Sequence, residues 1–123
     1  MAEIQKNNST NEEILETQEE SEEDDEIVFK LFANGKLVSW AKTLLYSFLK
    51  EIHTAQAEKR KGYGKKLLTH IEKKAEAHCA GIIKTSEIDP YSVEATSFFV
   101  RMGYQLRPIE SGSTGFLEGT KRL

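Results

Sequence analysis

The stretch from residue 46 to residue 88 constrains the fold more than any other. Tyr46 to Thr54 sets apolar Phe48 and Ile52 against Glu51 and His53, the period-two pattern of a strand. From Gly64 to Cys79, the side chains of Leu67, Leu68, Ile71, Ala75 and Cys79 recur at helical spacing, with Lys65, Lys66, Lys73 and Lys74 turned elsewhere and Gly81 suited to the stop. Ile82 to Ile88 is strand-like again. A strand, a crossover helix and a following strand make a parallel pair, because that connection must return along one face of the sheet. The fold is therefore mixed α/β or α+β.

Elements on either side extend the sheet. Ile27 to Ala33 and Lys36 to Leu45 are rich in β-branched, aromatic and aliphatic residues, and Asn34-Gly35 between them is a two-residue hairpin turn. Downstream, Asp89-Pro90 offers a cap and a first-turn proline for a helix that buries Ala95, Phe98, Phe99 and Met102 and ends at Gly103. Tyr104 to Ile109 and Thr114 to Leu123 are short strands joined by residues 110–113. The expected order is β-β-β-α-β-α-β-β, with no internal repeat.

Charge divides the chain in two. Residues 1–26 carry eleven acids against one lysine and no aromatic residue, too little apolar surface to offset the entropy of ordering, so they are expected to be a disordered acidic tail. Within it, Thr10 with Glu13 could cap a short helix through Leu15. Residues 27–123 hold nine acids against sixteen lysines and arginines, about +7, and form the expected domain. Such a domain suits an anionic ligand, whether nucleic acid or a phosphorylated cofactor. One cysteine, Cys79, excludes an internal disulfide or a cysteine zinc cluster. Neither a membrane-length apolar run nor a secretory signal pattern is present, and a cytoplasmic location is expected.

The chemistry concentrates in Lys59-Arg60-Lys61-Gly62-Tyr63-Gly64-Lys65, between the strand ending near Thr54 and the helix. Unpaired amides and the helix dipole make a helix start an anion site, and glycines let the backbone approach a phosphate. Two glycines before a helix are also the mark of a plain tight turn. The loop is not a Walker loop, and Leu67 stands where a dinucleotide fingerprint needs its third glycine.

What KRKGYGKKLL resembles is motif A of the GCN5-related N-acetyltransferases (GNAT), Arg/Gln-x-x-Gly-x-Gly/Ala, with Lys59 in the Arg/Gln position. A second segment, Ala95 to Tyr104 (ATSFFVRMGY), is similar to that family's A-x-x-F-Y-x-x-x-G-F. The resemblance covers about residues 27–123 and implies a GNAT-like mixed sheet that binds acetyl-CoA or another acyl-CoA. It implies that Lys59, Arg60, Lys61, Gly62, Tyr63, Gly64 and Lys65 hold the pyrophosphate. It implies also that a main-chain amide at His53 or Thr54 polarises the thioester carbonyl, a large catalytic contribution from a fixed donor. Ser92 takes the place of a frequent Asn that contacts CoA.

An amine acceptor must be neutral to attack, so a base is useful. Glu51 lies where some members place it, and Glu87 falls in a segment, Thr85 to Asp89, similar to that of members acting on protein N-termini. Each is equally readable as a solvent-facing carboxylate. Two departures stand out. Phe99 replaces the tyrosine that protonates the leaving thiolate, with Tyr104 or Tyr91 as substitutes, although a thiol of pKa ~8.5 leaves tolerably without full protonation. The family's opening strand and two helices, which build the acceptor pocket, are expected to be missing.

Three readings follow. The first is an N-acyltransferase acting on an amine of a peptide or protein, with a homodimer mate as another way of completing the acceptor pocket. The second keeps the CoA site without turnover. The third is a basic nucleic-acid-associated protein with the acidic tail as internal competitor, a less economical account of cations that flank a glycine-bearing helix start. Cys79 is expected to be a small buried side chain, Phe29, Phe32 and Trp40 core, and His70 and His78 not metal ligands.

Overall fold

Strand propensity and one crossover helix build almost the whole molecule. The computed structural model describes the backbone of residues 2–6, and residues 13–109 and 115–123 in full. Its elements are β1 (Ala2–Lys6), β2 (Ile14–Ser21), β3 (Glu26–Ala33), β4 (Lys36–Leu44), β5 (Phe48–Thr54), α1 (Tyr63–Ala77), β6 (Ile82–Ile88), α2 (Val93–Arg101), β7 (Gln105–Pro108) and β8 (Leu117–Arg122). Among the described residues they form one sheet in the order β1-β2-β3-β4-β5-β6-β8-β7. Every neighbouring pair is antiparallel except β5 with β6, the pair joined through α1.

The Asn34-Gly35 turn has φ of 52° and 81°, the left-handed conformation at both positions that a two-residue hairpin loop requires. Along β3, Ile27, Phe29, Leu31 and Ala33 are buried and alternate with half-buried residues. That buried face receives α1, whose Leu67, Leu68 and Ile71 are fully enclosed. Each such side chain contributes on the order of 1.5–3 kcal/mol. Ala41, Ser39 and Thr43 of β4 and Leu49 of β5 line the same side. The other side carries Val28, Lys30, Phe32, Trp40, Lys42, Glu51 and His53, none of them fully buried. Phe29 is thus core as expected, whereas Phe32 and Trp40 are half-buried on the far face.

The structure departs from the expected acidic tail over residues 14–26. Ile14–Ser21 pairs along seven register positions with β3, so strand pairing crosses the boundary drawn at residue 26 and supplies an opening strand that was expected to be missing. The ladder, not apolar content, carries this strand. Leu15 is buried, Glu19 accepts a hydrogen bond from Tyr46 Oη at 2.6 Å, and Glu16 accepts one from Gln18 at 2.7 Å. Between β2 and β3 stand only residues 22–25, with Asp24 and Asp25 at φ of 59° and 63° closing the hairpin. Thr10 lies outside the described residues, and Ile14 and Leu15 are strand where a capped helix was weighed.

Three smaller corrections concern ends and surfaces. Helix α1 stops at Ala77, so Cys79 lies past it at φ 62° and exposed; with Ala80 N donating to Ala75 O at 2.9 Å, the cysteine takes the left-handed closing position expected near Gly81. The cap of α2 is Ser92, whose Oγ accepts from Ala95 N at 3.1 Å, while Asp89 Oδ1 accepts from Tyr91 N in the turn before it. No helix among the described residues is long and apolar enough to cross a membrane.

Candidate functional site

Strands β5 and β6 run together over two residues only. Phe48 faces Lys84 and Leu49 faces Thr85, and beyond these two positions the pairing stops. Bulges explain why, since an extra residue bends a strand and increases its twist. In β5 the register against β4 shifts so that Lys50 is unmatched, with Leu49 opposite Thr43 and Glu51 opposite Lys42. In β6 the register against β8 shifts across Ser86 and Glu87, and Glu87 sits at φ 61°. Both expected carboxylates, Glu51 and Glu87, therefore stand at bulges on the two sides of the opening.

Which main-chain groups face the opening follows from the ladder. Ala55 N donates to Val38 O at 2.9 Å, and His53 O accepts from Ser39 Oγ at 2.6 Å, so both groups point toward β4. In an antiparallel pair successive amides alternate in direction, which turns the Thr54 amide to the open side. Of His53 and Thr54, then, Thr54 carries its N–H on the open edge. Thr54 Oγ1 lies 3.2 Å from buried Ser39 Oγ, which fixes this end of β5.

Helix α1 begins directly beside that end. Gly62 caps it at φ 80° with no side-chain partner, and the first helical bond runs from Lys66 N to Gly62 O at 3.0 Å. The amides of Gly62, Tyr63, Gly64 and Lys65 consequently have no partner inside the helix. A Cβ added to Gly64 would lie 3.2 Å from Thr54 Oγ1 and 3.4 Å from the Phe98 ring, so this glycine lets the helix start approach both β5 and α2.

The cations around the loop are held by carboxylates. Lys59 Nζ lies 2.9 Å from Glu94 Oε1 on α2, and Lys61 and Lys36 lie 2.7 and 2.9 Å from the two oxygens of buried Glu58. The Lys61 and Lys36 hydrogen bonds hold the Glu58 carboxyl below its usual pKa, and Lys59 does the same for Glu94. Arg60 is exposed at φ 70°. The Tyr63 hydroxyl donates to Glu13, whose other oxygen lies 3.5 Å from Lys66 Nζ. That hydrogen bond, with burial, pushes Tyr63 up to about 12. A groove of about 540 Å³ along α1, lined by Lys65, Lys66, Lys73 and Lys74, continues the positive surface away from the loop.

The acid expected from a tyrosine is differently placed. Phe99 is buried against Phe98 and Tyr104, at ring centroid distances of 5.2 and 5.4 Å. Tyr104 is itself buried and donates to Glu72 Oε2 at 2.8 Å, while Glu72 Oε1 meets Lys121 at 3.0 Å. Burial, reinforced by the Glu72 bond, drives the Tyr104 pKa far upward, and its proton is committed inside the core. Tyr91, 92% exposed at the turn into α2, is accessible. Ser92 spends its Oγ on the cap, and its backbone O accepts from the Thr96 hydroxyl at 2.9 Å. The described residues contain no group of three metal-ligating side chains.

Comparison with known proteins gives the same architecture. Among solved structures, the PaiA N-acetyltransferase of Thermoplasma acidophilum in complex with coenzyme A superposes with a TM-score of 0.71 at 17% identity, covering 80% of this chain and 62% of that one. A Bacillus subtilis acetyltransferase in complex with CoA gives 0.70 at 14% identity, covering 89% and 97%. The ribosomal-protein-S18-alanine N-acetyltransferase of Escherichia coli gives 0.67 at 19%, covering 82% and 71%. The chain thus spans less than two thirds of the Thermoplasma protein and nearly all of the Bacillus one. No curated protein matches it in sequence. A family profile described as the acetyltransferase (GNAT) family matches residues 2–104, so that β1 and β2 fall inside the match, and the chain belongs to that family.

Proposed function

We propose that this chain is an N-acyltransferase that moves the acetyl group of acetyl-CoA onto an amine of a peptide or protein. The observation that carries the reading is the meeting, at Gly64, of two sets of unpaired amides: those of the α1 first turn and that of Thr54 on the open edge of β5. The site fits the donor. Four helix-start amides with Lys59, Arg60, Lys61 and Lys65 around them suit a pyrophosphate, and Gly62 and Gly64 leave the backbone approachable. Thr54 N–H is the donor to the thioester carbonyl oxygen, and Ser39 holds it in place. His53 contributes backbone geometry, and Ser92 sets the start of α2 beside the site. The structural neighbours crystallised with coenzyme A support the same donor.

The acceptor reading rests on openness. Where the family resemblance implies two helices, β2 and β3 are joined by residues 22–25 alone, which leaves the sheet face bearing Glu51, His53 and Trp40 accessible to a chain segment or a dimer mate. A neighbour whose name states that it acts on a ribosomal protein supports a protein acceptor. Glu51 and Glu87 flank the opening and supply negative charge where an ammonium acceptor loses its proton.

The buried Phe99 favours a second reading, a CoA-binding module without turnover. One experiment separates them. Acetyl-CoA binding is followed by heteronuclear NMR at the amides of Thr54 and residues 62–65, and thiol release is then measured across peptide and small amines. Binding with turnover supports the transferase, and binding without turnover the module. An unchanged spectrum refutes both and turns attention to salt-dependent nucleic-acid binding.

A further inference from the structure

Glu51 and His53 are two residues apart on β5 and therefore share a face, the one turned away from α1. His53 Nε2 lies 3.7 Å from Glu51 Oε2, with the two side chains 51% and 50% exposed. At that distance the carboxylate is a Coulombic partner of the ring, not a hydrogen-bonded one. Trp40 is the cross-strand partner of His53, and the two rings lie 5.8 Å apart at 34°, so the indole forms a wall against which the imidazole rests.

The nearest lysines make their ion pairs with other carboxylates, although Lys50 also feels Glu51 through space. Lys42 is opposite Glu51 in register, yet its Nζ is 3.8 and 3.9 Å from Glu22 and Glu26. Lys50 is bonded to Glu26. On β3, Lys30 is opposite Trp40 and one strand further from His53. Across the opening β6 contributes Lys84, which is paired in register with Phe48 at the closed end, and Glu87. Neither Lys42 nor Lys50 is within ion-pair distance of Glu51; both are drawn to Glu26 at the start of β3, and Lys42 also to Glu22. Position completes the argument: His53 is adjacent to Thr54, whose amide marks where the reacting carbonyl would be held, and it lies past Leu49, where β5 has no partner on its β6 side.

From this geometry we infer that the His53 imidazole takes the proton of the acceptor amine, with Glu51 as its electrostatic partner and Trp40 as its wall. The inference rests on the transferase reading. Glu51 then acts through His53. The proton balance is complete without a further reactant. An ammonium acceptor gives one proton to His53, the free amine nitrogen bonds to the thioester carbonyl carbon, and the carbon–sulfur bond breaks toward sulfur. The nitrogen's second proton reaches the departing thiolate through water, and the half-exposed His53 returns its proton to solvent. The products are an amide, CoA thiol and one proton.

The test uses the full chain, acetyl-CoA and a panel of amines: peptides with free N-termini, lysine peptides and small amines. With the best of them, H53A is expected to lower kcat/KM about a hundredfold or more, chiefly in kcat, as loss of a general base does. It should also change the acid side of the pH–rate profile, where the acceptor's own ammonium still titrates, and be partly rescued by added imidazole. Acetyl-CoA affinity by isothermal titration should be unchanged. E51Q is expected to lower kcat about tenfold, with KM held. Activity of H53A within twofold of wild type with the same pH profile overturns the inference, as does a loss in H53A that imidazole fails to restore and that H53N shares only through weaker acetyl-CoA binding. Wild-type protein that binds acetyl-CoA and releases no thiol overturns it too, while leaving the donor site standing. Failure to bind acetyl-CoA brings down the transferase reading itself.

Discussion

The two sides of the opening between β5 and β6 are built on different principles. On the reading proposed above the donor side is local but for the Thr54 amide: ten consecutive residues from Lys59 to Leu68 supply the cations, the glycines, the helix-start amides and the apolar side chains that anchor them. The proposed acceptor side is assembled, with Trp40, Glu51 and His53 brought onto one face by a hairpin and a bulge, and with the neighbouring lysines drawn to Glu22 and Glu26. A local site needs only its own helix to be seated. An assembled one depends on strand register, where a one-residue slip moves every side chain to the other face.

The largest expected effect comes from unseating the donor side from below. Leu67 is fully buried under α1, and truncation of such a leucine typically costs about 2–5 kcal/mol through lost burial and the cavity left behind. Leu67→Ala should lower the thermal midpoint by more than about 10 °C, measured by circular dichroism. A midpoint within about 3 °C of wild type would mean that α1 is not held by this contact.

Gly64→Val separates the two sides. The new side chain must displace Thr54 Oγ1 or the Phe98 ring, which stand 3.2 and 3.4 Å from the added Cβ. Overpacking of this kind costs ~1–3 kcal/mol, and if it falls on the bound geometry acetyl-CoA binding weakens about ten- to hundredfold. Fluorescence of Trp40, the single tryptophan, reports the acceptor face and should be unchanged. A shift in both signals would show that the sides are not separable.

How much of this could be read from the amino acids follows the same division. Ile82–Ile88 has the bounds read from its residues, the Asn34-Gly35 turn is where its residue types put it, and the helix start at the basic loop is one residue from expectation. All three are local patterns. Strand β2 was illegible because its side chains beyond Leu15 are all polar or acidic and only the ladder with β3 makes it a strand. The bulges at Lys50 and at Ser86-Glu87 exist through register against β4 and β8, which no window of sequence contains. For the same reason Glu51 and Glu87 were nameable as carboxylates on the strands before and after the helix, but the bulges at which they stand were not. Tyr104 was legible as a tyrosine after a helix; its commitment to Glu72 depends on contact across 32 residues.

Ser92→Ala probes the join between the two sides, since Ser92 caps the helix that carries Glu94 to Lys59. Loss of an N-cap costs about 1 kcal/mol, so the midpoint should fall by about 4–8 °C. Acetyl-CoA affinity measured alongside tells whether Ser92 has a second role: an affinity loss beyond threefold at a temperature where the variant is folded would assign it one.

The smallest effect tests whether the acidic N-terminal segment belongs to the donor side. Glu13 accepts a hydrogen bond from the Tyr63 hydroxyl, which with burial raises Tyr63 from 10.0 to about 12. A group whose folded value is raised stabilises the fold fully below its unfolded value and loses that contribution as pH rises through the folded one. The Tyr63 contribution is therefore present at neutral pH and lost between about pH 10 and 12. Glu13→Gln should bring Tyr63 ionisation down, seen as tyrosinate absorbance appearing at lower pH, and lower stability at pH 7 by about 1 kcal/mol, the usual net worth of one hydrogen bond. Tyr46, raised to about 12 by Glu19, is the internal reference, because its partner lies on β2 a few residues beyond Glu13 and bonds no residue of the donor loop. If only Tyr63 moves, Glu13 tethers the segment before β2 to the first turn of α1. If neither moves, the donor side stands without it, and the carboxylates that balance its cations are Glu58 and Glu94 alone among those described.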